Sequence, residues 1–127
     1  MSKTGPLLQE WFDEIKNGSA SARIGIFFIH NGVVRGTSRE GLPVSALEIS
    51  CDSERLSRLV AEAEAMPGVV AARAWVNEGT LAVGDDMTCA LVAGDVRKNV
   101  FKVWETLARR IKHEAMTQRE ILVRGIS

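Results

Sequence analysis

Apolar residues change their period along this chain, and the changes mark out its elements. Leu7, Leu8, Trp11, Phe12 and Ile15 recur at helical spacing within Pro6 to Lys16, and Asn17-Gly18-Ser19 supplies a stop. Ala22 to His30, ARIGIFFIH, is too continuously apolar for a strand with one wet face and predicts a central strand. Asn31-Gly32 then signals a turn, Val33-Val34-Arg35 a bend or short paired segment, and Gly36 to Leu42 a polar, mobile loop. Val44 to Ser50 alternates, which predicts a half-buried strand with Val44, Ala46 and Ile49 or their neighbours inward, though the period is imperfect. A helix capped by Asp52 or Ser53 runs through Met66, with Leu56, Leu59, Val60 and Ala63 inside and Pro67-Gly68 ending it. Val69 to Val76 and Met87 to Ala93 read as strands, with turns at Asn77-Glu78-Gly79 and Gly84-Asp85-Asp86. The longest helical signal is Asp95 to Glu120. Within it Val96, Val100, Val103, Leu107 and Ile111 form one stripe, which Phe101, Trp104 and Ala108 widen. Nothing interrupts it before Ile121 to Ile126, a short final strand or tail.

This order predicts one α+β domain over residues 1–127, with helices packed on a mixed, mainly antiparallel sheet. Sixteen basic and sixteen acidic residues cancel, so the molecule as a whole has no attraction for nucleic acid or an anionic membrane. Any anion must be held by a local cluster. The last helical stretch has one, in Arg97, Lys98, Lys102, Arg109, Arg110, Lys112 and Arg119. No apolar run nears the roughly 18 residues that span a bilayer, and the start lacks a signal-peptide core, so a cytoplasmic protein is expected. Cys51 and Cys89 have no CxxC spacing and no nearby His, which argues against a metal or redox site and for inert thiols. His30 and His113 lack an acid-base partner at recognisable spacing and read as structural or solvent-facing. Trp11, Trp75 and Trp104 read as core or interface anchors, because no basic stripe with interleaved aromatics surrounds them.

Taken as ordered landmarks, the chain resembles the large, catalytic subunit of molybdopterin synthase along nearly its whole length. The family's F-x-G-x-V-R-like strand ending is similar to Phe28 through Gly32-Val33-Val34-Arg35, and its L-x-L-E strand to Ala46-Leu47-Glu48, before the helix from Ser53. Its G-x-L-x-x-G-D turn matches Gly79-Thr80-Leu81-Ala82-Val83-Gly84-Asp85. The His-Arg that opens the family's long helix is Val96-Arg97 here. Aligned without a gap from Phe101, the family's two lysines, seven positions apart, fall on Lys112 and Arg119. The Pro and Trp before the second cation are Met116 and Gln118, and an earlier His-Arg pair is Val76-Asn77.

The resemblance implies an α/β-hammerhead type of α+β fold and an activity in molybdenum cofactor biosynthesis. That activity converts cyclic pyranopterin monophosphate into dithiolene molybdopterin. Its sulfur comes from a small ubiquitin-like partner thiocarboxylated at a C-terminal Gly-Gly. The resemblance further implies a homodimer that becomes a heterotetramer with its partners, and neither cofactor nor metal. It puts Lys112 and Arg119 in catalytic positions, and Arg35, Arg97, Val34, Val96 and Glu120 around the substrate. The chemistry of these residue types agrees. An arginine fork gives a phosphate two charge-assisted hydrogen bonds, and Arg35 and Arg97 are the candidates. A lysine amine freed by desolvation or a cationic neighbour acts as nucleophile or base, the role assigned to Lys112. Arg119 keeps the charge but does not deprotonate, so only electrostatic help remains to it.

Geometry adds a condition. In an unbroken helix Arg97 and Lys112 stand ~22 Å apart, at ~1.5 Å per residue, too far for one small pterin. Either they serve different sites, or a site joins Lys112 of one subunit to Arg97 of another. A continued helix would put Arg119 on the Lys112 face, ~10 Å away. Arg97, at a helix start, opposes the dipole and calls for an anion nearby. The alternative reading is a non-catalytic dimeric homologue acting as a binding or scaffold protein, suggested by the replaced His, Pro and Trp.

Overall fold

The apolar run at Met87 to Ala93 lies within β5 (Asp86–Gly94), where Cys89, Ala90, Leu91, Val92 and Ala93 have no solvent exposure. Residues 8–123 are described by the structure, a computed structural model. The start of the first predicted helix at Pro6-Leu7 and the part of the predicted last strand beyond Val123 lie outside the described residues. The remaining elements are α1 (Leu8–Lys16), β1 (Ile26–Val33), β2 (Val44–Cys51), α2 (Ser53–Glu64), β3 (Val69–Val76), β4 (Gly79–Ala82), α3 (Arg97–Arg110) and β6 (Met116–Leu122). A short 3₁₀ turn, Ser21–Arg23, precedes β1, and a π-helical turn, Ile111–Ala115, joins α3 to β6.

β5 is the middle strand of a sheet ordered β1-β5-β3, antiparallel to both neighbours. Alternate residues supply its two faces. Ala90 and Val92 pack under α2 and α3 with Leu59, Ala63, Val100, Val103 and Leu107, while Leu91 and Ala93 pack under α1 with Ile15 and Ala71. A strand covered on both faces has no polar positions, which is why its sequence shows no alternation. Where β5 ends, three backbones cross. Gly25 N donates to Gly94 O at 2.7 Å and Asp95 N to Gly68 O at 2.9 Å. A Cβ on Gly94 would run into the Gly68 carbonyl oxygen, so the close approach itself demands glycine there.

A second sheet, ordered β4-β2-β6 and again antiparallel, packs Val34, Leu47, Ile49 and Leu81 against Val76, Met87 and Met116. The expected α+β architecture with antiparallel pairing is therefore observed, divided between two sheets. β2 buries Val44, Leu47 and Ile49, and its register with β6 shifts between Val44 and Ala46. One irregular residue resets the alternation, which accounts for the imperfect period.

Three expectations are corrected, at Asn31-Gly32, at Gly79 to Ala82 and at the end of the long helix. Asn31-Gly32 is not a turn: β1 continues through it, paired with β5, and the Asn31 side chain donates to Asp86 Oδ1 at 2.9 Å. The register shift that the dipeptide produces lies between Gly32 and Val33. Gly36 to Leu42 is a polar loop as expected, and it folds around buried Ser38, whose N donates to Leu42 O at 2.8 Å and whose Oγ accepts from Leu42 N at 3.1 Å. Gly79 to Ala82, expected only as part of a turn region, forms β4 on β2. The long helix does not reach Glu120. It stops as an α-helix at Arg110, widens into the π turn, and gives way to β6 at Met116. Helix propensity of Gln118, Arg119 and Glu120 is outweighed by the ladder that β6 makes with β2, from Cys51↔Met116 to Val44↔Leu122.

Candidate active site

The π turn is held from both sides. Met116 N donates back to Ile111 O, and Asp52 N, just before α2, donates to Ala115 O at 2.8 Å. Arg110 spans the turn, donating to Glu114 at 2.7 Å and to Glu62 of α2 at 2.6 Å. These hydrogen bonds, Glu114 first, raise the Arg110 guanidinium pKa, while Arg110 holds the Glu114 carboxyl below its usual range. Arg110 is thus a clamp and not a free cation.

The clamped turn presents Lys112 to a cavity of about 170 Å³. Its walls are His30 and Gly32 from β1, Met87 and Thr88 from β5, Ala108 from α3, Ile111 and Lys112 from the turn, and Met116 and Gln118 from β6. Four elements and a turn meet there, at the seam between the two sheets. Gly32 keeps the wall thin: a Cβ would come within 3.0 Å of Thr88 Cγ2 and 3.4 Å of Met87 Cε. Met116 and Gln118 stand where the resemblance has Pro and Trp, so those replacements change the cavity itself.

Arg119 is the next residue but belongs to a different surface. It lies opposite Glu48 in the β2–β6 ladder and donates Nε and Nη2 to Glu48 Oε1 at 3.0 and 2.6 Å. With Glu48, Ser50, Thr80 and Thr117 it lines an open groove, which Gln118 borders as well. The expectation that Lys112 and Arg119 share a helical face is corrected, because β6 is a strand. Glu120 is exposed, opposite Leu47, and lines neither cavity nor groove.

The other predicted site residues stand apart from Lys112 within one chain. Arg35 is exposed, with Nε donating to Thr37 O at 3.0 Å. Val34 is buried, and its backbone is occupied: its N donates to Asp85 O and its O accepts from Gly84 N. Val96, 54% exposed, opens α3 without a side-chain cap. Arg97 lies over the Phe28 ring, 5.8 Å from its centroid. Asp95, just before the helix, is occupied by other partners: its carboxylate accepts from Asn99 and, at 2.6 Å, from Val96 N. The Asn99 bond and then the Val96 bond hold its carboxyl below the usual range.

The residue that the sequence pattern passed over is His30. In the strand alternation it follows Ile26 and Phe28 on the face turned to α3, and its ring meets Trp104 edge to face at 5.6 Å. Burial keeps its pKa below the ordinary value. Its place at the end of the inward-facing row of the predicted strand Ala22 to His30 was the available signal. The two thiols behave as expected of inert ones. Burial raises both, Cys89 to about 11. Among the described residues no group of His, Cys, Asp and Glu is arranged to hold a metal.

Comparison with known proteins gives a consistent result. A sequence comparison with curated proteins yields no match. The structure is similar to molybdopterin synthase from Staphylococcus aureus, with a TM-score of 0.75 and 21% identity over 96% of this chain and 90% of that one. It is similar to molybdopterin cofactor biosynthesis protein E from Burkholderia multivorans, with a TM-score of 0.72 and 21% identity over 98% and 89% of the two chains. A complex of subunits 1 and 2 of the molybdopterin-converting factor from Helicobacter pylori matches with a TM-score of 0.68 and 18% identity, over 99% and 90%. At such identities the likeness establishes the fold. The family model for the MoaE protein matches residues 8–114, most of the sequence, and the chain therefore belongs to the MoaE family, that of the molybdopterin synthase large subunit.

Proposed function

We propose that this chain acts in molybdopterin biosynthesis as the catalytic subunit of a molybdopterin synthase. It transfers sulfur from the C-terminal thiocarboxylate of a small ubiquitin-like partner to a pyranopterin phosphate. One observation carries the reading: Lys112, the family-aligned lysine, lines a cavity at the seam of the two sheets instead of standing on an open helix face. Lys112 is itself exposed and forms one wall beside Met87, Ile111 and Met116, so a substrate filling the cavity would cover the amine and place it against the reacting carbon as a nucleophile or base. Arg119, tied to Glu48, contributes charge to the neighbouring groove and no proton transfer.

Arg35 and Arg97 line no wall of the Lys112 cavity, so the phosphate is held by cations brought from elsewhere. A homodimer supplies them, with Arg97 of one subunit facing Lys112 of the other, and each subunit takes one small partner. The complex of two converting-factor subunits from Helicobacter pylori supports the small-subunit part of this reading. The test is reconstitution with pyranopterin phosphate and a thiocarboxylated small subunit ending in Gly-Gly. Wild type forms the dithiolene product and Lys112→Ala lowers the rate about a hundredfold or more, in line with loss of a nucleophile or general base. No product from wild type, or equal rates for the two, overturns the reading.

A second reading has one specific observation in its favour. Glu48 neutralises the second cation, and Val96 replaces the family His at the start of α3. A dimeric homologue that binds the small subunit without transferring sulfur would show tight carrier binding and no product.

A further inference from the structure

His30 and Lys112 line the same cavity, and the histidine is built into it asymmetrically. Its Nδ1 is enclosed and has no hydrogen-bond partner, which leaves Nε2 as the nitrogen through which the ring meets the cavity that it lines. The ring is fixed from behind by Trp104, which itself stacks on Phe28 at 6.0 Å. An enclosed N–H without an acceptor is a costlier arrangement than an enclosed lone pair. The neutral tautomer that follows carries its proton on Nε2. The cavity therefore holds a fixed N–H donor, and the Lys112 side chain is another of its walls. Apart from Gln118 and Thr88, the other walls are apolar side chains, thioethers and glycine. No carboxylate lines it. Two donors on the walls of one cavity, with no acid among its walls, suit a small anionic head at the end of a slender chain.

We propose that His30 is a substrate-positioning donor whose Nε2–H hydrogen-bonds the carboxylate or thiocarboxylate oxygen at the carrier's C-terminus, aligning it beside Lys112. This rests on the sulfur-transfer reading above and adds to it a residue that the family pattern did not indicate. The bond is to a charged acceptor, which makes it one of the stronger kind. Burial supports the assignment, because a ring that stays neutral keeps one defined donor. Its hold on the tail is then set by geometry and not by protonation of the imidazole.

The experiment uses the full chain and its small subunit with an ordinary C-terminal glycine carboxylate, which binds without reacting. A second carrier ends in a carboxamide. Calorimetry with the carboxylate carrier shows His30→Phe weakened about tenfold, because the ring packing on Trp104 is kept and the donor lost. His30→Gln, which restores an N–H at similar reach, recovers affinity to within about threefold of wild type. The carboxamide carrier, whose carbonyl oxygen still accepts but carries no charge, loses less between wild type and His30→Phe than the carboxylate carrier does, a split that a merely structural role for the ring would not produce. Thermal melts check folding, and His30→Leu removes the same donor should phenylalanine not be accommodated. Equal affinities of wild type and His30→Phe for the carboxylate carrier, with Lys112→Ala still weakened, overturn the role of His30 alone. No product from wild type in the reconstitution, or equal rates for wild type and Lys112→Ala there, overturns the sulfur-transfer reading and this proposal together.

Discussion

β5 and β6 both form walls of the Lys112 cavity, yet they are specified in opposite ways. β5 contributes Met87 and Thr88 from a strand enclosed on both faces. β6 contributes Met116 and Gln118 from a strand on which Thr117 through Glu120 are all exposed. Burial specifies the first: Leu91 alone removes enough apolar surface to stabilise the fold by about 1.5–3 kcal/mol. Pairing specifies the second, through a ladder to β2 that needs no particular side chain. The site combines a rigid wall with one whose position depends on a neighbouring strand.

The largest expected effect breaks that contrast most directly. Leu91→Ala removes a side chain with 0% exposure that packs with Ile15, Ala71 and Ala93. The expected loss is about 2–5 kcal/mol, since transfer and cavity contributions add. Thr117→Ala on β6 is expected to change stability by no more than about 0.5 kcal/mol. Urea unfolding of the two variants measures both. Comparable losses would show that β6 is held by side-chain packing after all.

Acidification separates the buried and exposed groups next. Burial holds His30 below its ordinary 6.5. As pH falls, the unfolded chain takes up that proton before the folded one does. The stability associated with a neutral His30 is therefore complete above 6.5 and is lost as pH falls through the lower folded value. Asp95 and Glu114 are held below 3.8 and 4.5, chiefly by hydrogen bonds from Asn99 and Arg110. Their contributions are present above those values and go as pH falls through the folded ones. Urea midpoints at stepped pH should decline first just below 6.5, and that step should vanish in His30→Phe. A step that persists in the variant would assign it to another group.

The same division decides how much was legible in the sequence. Apolar period reports burial, so β5, the capped α2 and the stripe Val100, Val103, Leu107 and Ile111 were readable, with Val96 the exception at 54% exposure. β6 was not, because its exposed Thr117, Gln118, Arg119 and Glu120 have no buried face to show and include good helix formers. β1 was cut short at Asn31-Gly32, since that dipeptide forms a hairpin turn only when the flanking segments pair with each other. Here their partner is β5. Lys112 was found by alignment, while its cavity was invisible: the walls come from residues 30 to 118, and no local pattern encodes their convergence. His30 was overlooked for the same reason, as its neighbours are remote in sequence.

The smallest expected effect tests whether the Arg119–Glu48 pair holds β6 in place or only occupies it. The pair is short, at 2.6 Å, but its side chains are 68% and 42% exposed, so solvent screens much of the attraction. A double-mutant cycle of Arg119→Ala and Glu48→Ala, read by urea unfolding, should give a coupling of about 1 kcal/mol or less. It should shrink further in high salt. A coupling of that size would leave the backbone ladder as the main support of β6. It would also leave Arg119 easily drawn from Glu48 by a stronger anion entering the groove. A coupling of several kcal/mol would instead make the pair a structural lock, with Arg119 committed to Glu48 and withdrawn from any ligand.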